Sequence, residues 1–236
     1  MLALEDIVPL RVCAFPYPAI HPLAGLPGVD LAFAIRHPDG VGLYDTGFGR
    51  GHAWVDDVFD PRCEDIRDLL RATAIEASEI RWIVHSHLHF DHCGYDRFFP
   101  GVPVLVQRAE LDAAKAEHYT IAEWAFFEGV RHVALDGDSE IAPGVRALAT
   151  PGHTPGHQSV AIETTSGIAV LAGHAVFSVA EWQREAPPTE TSDDGRRSAD
   201  RLRALDPVAV FFSHDDAVWR RADATPRRAS PAVRRS

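Results

Sequence analysis

The segment His85-Ser-His-Leu-His-Phe-Asp-His92 follows directly on the apolar run Ile80–Val84. It sets the strongest constraint on any fold this chain adopts. Histidines and an aspartate packed this closely, without a cation, would leave desolvated donors and acceptors poorly matched. Alternate side chains of an extended segment point the same way, so His87 and His89 can approach one metal together. Asp91 falls on their side, beside a metal-bound water, and His92 faces elsewhere, toward a second position. The apolar run reads as a buried strand, which supplies the rigid base that a ligand loop needs.

Other histidines stand in similar settings. His153 lies in Thr150-Pro-Gly-His-Thr-Pro-Gly-His157, a Gly/Pro turn after a strand ending at Ala149. His174 follows the apolar run Ile168–Ala172, and His214 follows Val208–Phe212. Strand ends that each deliver a histidine can assemble a site at one sheet edge. His85 is open to either reading, and His157 reads as structural. His21, His37, His52, His118 and His132 have no ligand-type company.

Strand-like stretches at 29–36 and 41–44 flank the turn His37-Pro-Asp-Gly and read as a hairpin. Further strands are predicted at 102–106, 130–135, 144–149, 158–163, 168–172 and 208–212. Helices are predicted over 63–74, 107–117 and 199–205. Strands with interspersed helices in both halves point to an α/β chain of two sheets with helices packed outside. One domain is expected over 1–219. The stretch 185–198, with Pro187-Pro188 and several charges, reads as a mobile loop. The arginine-rich stretch 220–236 reads as a disordered tail.

Composition narrows the partners. A net charge of −11 disfavours nucleic acid and anionic membrane surfaces. No apolar run approaches the length of a bilayer span, and the first ten residues lack the pattern of a secretory signal. Cys13, Cys63 and Cys93 are odd in number and sparse, which argues against a disulfide framework and for a reducing cytoplasm.

The pattern His87-x-His89-x-Asp91-His92, with Asp45-Thr-Gly upstream and His153 and His214 downstream, resembles the metallo-β-lactamase superfamily. Within it, Ser86-His-Leu-His-Phe-Asp-His-Cys-Gly, Val104-Leu-Val-Gln-Arg-Ala-Glu-Leu and Thr150-Pro-Gly-His-Thr-Pro-Gly-His-Gln-Ser are similar to the N-acyl-homoserine lactonase branch. The resemblance spans about Leu31 to Asp215. It implies an αββα sandwich of two mixed β-sheets, with the metal site at one edge. It further implies that His87, His89 and His153 bind a first Zn2+, that Asp91, His92 and His214 bind a second, and that Asp45 orients a ligand imidazole.

Two positions depart from that pattern. The family usually carries an aspartate that bridges the metals where this chain has His174. The lactonase branch carries a tyrosine that contacts the substrate carbonyl where this chain has Phe177. A neutral imidazole brings one lone pair and no charge, so either the second metal site is expected to be weakened or one metal only is expected, with His174 a terminal ligand or a donor beside the metal. The activity implied is opening of a small lactone or ester by metal-bound hydroxide, with Asp91 orienting the nucleophile and carrying a proton to the leaving oxygen. Phe177 and Trp182, with Phe15 or Tyr17, are expected to form an apolar wall for the substrate. The alternatives are a thioester, β-lactam or phosphoester hydrolase of the same fold, an iron oxygenase, or a metal-binding protein without turnover.

Overall fold

The computed structural model describes residues 1–19, 21 and 23–222. Among them lie two sheets. The larger runs Arg62–Cys63, Ile7–Pro16, Pro27–His37, Gly40–Tyr44, Ile80–Val84, Pro103–Gln107, Arg131–Leu135. The smaller runs Trp219–Arg220, Ala209–Phe211, Gly167–Leu171, Gln158–Thr164, Val145–Ala149, Ser139–Ala142.

Side-chain alternation along the strands builds three apolar layers. Leu31, Phe33 and Ile35 face the second sheet, where they meet Val160, Ile162, Ala169 and Phe211. Ala32 and Ala34 face the opposite way, onto Ile66 and Leu70 of the helix Ile66–Ala72. On the outer face of the second sheet, Val170 and Val210 pack against Trp182 and Leu202. Helix, sheet, sheet and helix thus stack as the αββα sandwich expected.

Parallel pairings align strand ends at one edge. Tyr44 pairs with Val84, and Leu171 pairs with Phe211. Asp45, the segment from His85, His174 and His214 therefore leave the two sheets side by side, the position where open parallel sheets place their ligands.

Four expectations are corrected. Cys13 and Cys63 are bonded to each other, joining cross-strand neighbours 50 residues apart, which removes the reason for assigning a reducing compartment. Cys63 lies in a short strand, and the helix expected from it begins at Ile66, capped by the Asp65 carboxylate on Arg67 N. The second half of the expected loop 185–198 is helical: Ser192 accepts from Gly195 N and starts the helix Asp193–Ala204, with Asp193 and Asp194 at its positive end. Arg220 pairs in the smaller sheet, and Arg221 N donates to Val208 O, so these two are part of the fold. Residues 223–236, the rest of the expected tail, lie outside the described residues. No helix among those described is long and apolar enough to cross a membrane.

Candidate metal centre

Seven side chains meet at the aligned strand ends. The ligand atoms of Asp91, His92, His174 and His214 lie within 4.8 Å of one another, and so do those of His87, His153 and His174. His89 joins the second set through Nδ1, at 3.0 Å from His87 Nε2 and 3.2 Å from His153 Nε2. His174 belongs to both sets. Its Nε2 is 3.2 Å from His92 Nε2.

The alternation read for His87 and His89 stops one residue later. His92 N donates to His89 O at 3.0 Å, and the turn so closed carries Asp91 over to His92 and His214.

The outer ring nitrogens fix what the inner ones can do. His214 Nδ1 donates to Val29 O at 2.7 Å, so its Nε2 carries a lone pair. That lone pair faces the Asp91 Oδ2 oxygen at 3.6 Å. His92 Nδ1 donates to Asp45 Oδ2 at 2.9 Å, and its Nε2 faces the same Asp91 oxygen at 3.4 Å. The Ser86 hydroxyl donates to Asp45 Oδ2 at 2.8 Å and can accept from His87 Nδ1 at 2.9 Å, which turns the His87 lone pair inward too. Lone pairs aimed at a carboxylate oxygen need a cation between them. The residues therefore fit a divalent metal, and ring nitrogens with one carboxylate suit Zn2+ and its late first-row neighbours.

The surrounding field agrees. Burial lowers the pKa of His153 to about 2 and that of His214 to about 4, with the neighbouring His89 and His92 respectively adding to the effect. These imidazoles stay neutral and available as ligands. Burial opposes charge on His92 as well, but the carboxylates of Asp91 and Asp45 raise its pKa well above the usual range. Positive charge is favoured at that point, whether from a proton or a metal.

The supports behind the ligands are buried. Asp45 accepts from Ser86 N at 2.7 Å besides holding His92, and its neighbouring imidazoles keep it ionised despite burial. His85 turns away from the ligands and binds Asp96 Oδ2 at 2.7 Å; burial opposes its charge, yet Asp96 and Asp45 raise its pKa to about 9. His157 donates through Nδ1 to Thr150 O and accepts His174 N on Nε2, both at 2.9 Å, and so seats the loop that presents His174. Gly173 precedes it with φ +57°; a Cβ there would lie 2.6 Å from His157 Nε2.

One support lies within the quoted stretch Val104–Leu111, where the sequence reading assigns it no role. Glu110 is fully buried. Its Oε1 accepts from Leu88 N at 2.8 Å, between two ligands, and from the Tyr119 hydroxyl at 2.5 Å. Its Oε2 accepts from Thr154 Oγ1 at 2.7 Å and Gly156 N at 3.2 Å, beside His153. A single glutamate near a helix start carries no local sign of this; only the fold brings the two loops to it. Glu110→Ala leaves these donors unpaired and is expected to lower stability by about 3 kcal/mol or more and to weaken metal binding. Urea unfolding midpoints and metal content of the purified variant check this.

A cleft opens above the ligands. Its larger part, about 1000 Å3, is walled by Trp54, Phe90, Tyr119 and Ile121 and reaches His89 and Asp91. A smaller recess of about 190 Å3 shares Phe90 and Asp91 and adds Phe15, Tyr17 and Phe177 over His174 and His214. Phe177 stacks on His214, ring centroids 5.1 Å apart. Trp182 does not join this wall. It packs in the outer apolar layer beside Trp219, with Arg203 over its ring, because the short helix Val179–Trp182 turns it away from the cleft.

The sequence pattern of the metallo-β-lactamase superfamily matches residues 26–214. The chain belongs to that superfamily. An N-acyl homoserine lactonase of a Bacillus species is 37% identical over 181 residues, covering 74% of this chain and 70% of its own. A Bacillus thuringiensis AiiA variant solved with N-decanoyl-L-homoserine at its active site superposes with a TM-score of 0.74 at 27% identity, covering 89% of this chain and 92% of its own. An N-acyl homoserine lactone hydrolase solved with N-hexanoyl-L-homoserine at its catalytic metal centre has the same score, identity and coverage. These relatives are lactone hydrolases, and their fold is this chain's fold.

Proposed function

We propose that this chain hydrolyses a small lactone or carboxylic ester of the acyl-homoserine-lactone kind, with Zn2+ as its metal. The observation that carries the reading is the convergence of six imidazoles and one carboxylate on the floor of an apolar cleft. The names of the relatives, lactonases that hold acyl-homoserines, support the same substrate class.

His87, His89 and His153 would hold one zinc, and Asp91, His92 and His214 a second. Zinc held there supplies Lewis acidity toward a carbonyl oxygen and brings the pKa of water down to roughly 7. Asp45 fixes the tautomer and orientation of His92, which raises its basicity as a ligand. Asp91, with 17% of its side chain exposed, is the one carboxylate of the cluster, and it can take a proton and deliver it to the leaving oxygen. In a lactone that oxygen stays tethered, and the product is a hydroxy acid. Trp54, Phe90 and Phe177 exclude water and accept an acyl chain.

His174 limits the metal count. A neutral imidazole has one basic lone pair, and His174 belongs to both groups, so it serves one at a time and neutralises neither. One zinc is bound tightly and the second weakly.

The test is a substrate panel with zinc-loaded protein, following acid release from lactones and esters beside thioester, β-lactam and phosphoester hydrolysis. Lactone turnover abolished by chelation and restored by zinc is the expected result. Turnover of thioesters alone, or oxygen uptake with iron, would overturn it.

A further inference from the structure

A neutral carbonyl oxygen that becomes anionic during hydrolysis is stabilised by hydrogen-bond donors aimed at it in a dry site. Phe177 offers none. Among the described residues lining the recess over His174 and His214, Tyr17 alone carries a hydroxyl. In the larger part of the cleft, the Tyr119 hydroxyl is spent on Glu110, and that of Thr120 pairs with Cys93.

The Tyr17 hydroxyl has no such partner. The residue is 8% exposed, and its buried oxygen makes no hydrogen bond with the described residues. A phenol kept out of water and unpaired costs free energy, and one that lines a ligand cleft is free to pair with a ligand there.

The ring is held firmly. Tyr17 N donates to Leu26 O and Gly25 N donates to Tyr17 O, both at 2.9 Å. His21 stacks on one face with centroids 4.3 Å apart, and Phe15 meets it edge-on at 5.2 Å. Gly28 makes the seat: a Cβ there would lie 2.6 Å from Phe15 Cε2 and 3.0 Å from Tyr17 Cε2. Burial, then the nearby charges of Asp91 and Asp30, push the phenol's pKa up, so it remains a donor at any working pH.

We propose that the Tyr17 hydroxyl donates a hydrogen bond to the substrate's carbonyl oxygen as charge develops on it. The phenol keeps its proton, so no group is transferred. This rests on the lactone or ester reading above.

Two readouts test it. In zinc-loaded protein, Tyr17→Phe is expected to lower kcat by about a hundredfold with KM within about twofold and zinc content unchanged. A residue that only packs would instead shift the unfolding midpoint or the zinc content and leave kcat within threefold, which would overturn the proposal. The second readout needs no turnover. Protein labelled with 13C at tyrosine Cζ is titrated with N-hexanoyl-L-homoserine, and the Tyr17 resonance is assigned by its loss in Tyr17→Phe. A shift of that resonance on binding supports the contact; a signal unmoved at saturation overturns it. A parent protein inactive on every lactone and ester would end the functional reading, while the titration would still decide the role of Tyr17.

Discussion

Asp91→Ala is expected to lower kcat/KM by about three orders of magnitude or more while the chain stays folded. Two losses coincide. The carboxylate is the single negative group among Asp91, His92, His174 and His214, so its removal would leave three neutral imidazoles for the dication proposed there. In the proposed reaction the same carboxylate carries the proton to the leaving oxygen, a contribution of about 10²–10⁴ in rate. Asp91→Asn separates the two. It keeps an acceptor oxygen and the turn closed by His92 N on His89 O, but not the charge or the proton. That variant is expected to keep one tight zinc and to lose about a hundredfold in kcat. Zinc content and steady-state kinetics, measured on the same preparations, decide it; turnover within threefold of the parent in both variants would remove Asp91 from the chemistry.

His174→Asp is expected to tighten the second zinc by about 10²–10³. The present side chain faces two ligand sets with one lone pair. A carboxylate brings a full negative charge and two oxygens to the same place. A unit charge about 4 Å from a cation, at an effective dielectric near 20, is worth about 4 kcal/mol, and each 1.4 kcal/mol is about tenfold in affinity. Shortening the side chain costs part of that gain. Competition titrations with a zinc chelator read the two affinities, and the absorption of the cobalt-substituted protein reports the coordination at each. A parent that already holds two zincs equally tightly would overturn the shared-imidazole account.

The sequence yields this architecture most readily where local pattern and tertiary role coincide. The strand Ile80–Val84 has the bounds read from its apolar residues, because all of them are buried and Arg81 alone faces outward. His87, His89, Asp91, His92, His153, His174 and His214 were each recognisable as strand-end residues, and the fold gathers them all. Pattern fails where a partner far along the chain decides. Cys63 was read as helical because apolar spacing follows it, but Cys13 pairs with it across a ladder and fixes it as strand. The stretch around Pro187-Pro188 masked the Ser192 cap three residues before Gly195. The strand Ile7–Pro16, which carries Phe15 and leads to Tyr17, has no clear local pattern, so aromatic type alone points to the N-terminal wall of the cleft. Trp182 shows the converse: an aromatic close in sequence to His174 that four helical residues rotate into the core.

Glu110 changes how this centre can be engineered. Its two oxygens hold the backbone beside His87 and His89 and the turn beside His153, so these segments are mechanically one part. Swapping either loop alone with one from another protein would sever half of that clasp and let the imidazoles drift. A successful graft would have to carry both loops and the helix start at Arg108–Ala113 as a cassette, whereas Phe177, whose N–H is held by Glu181, lies outside that clasp.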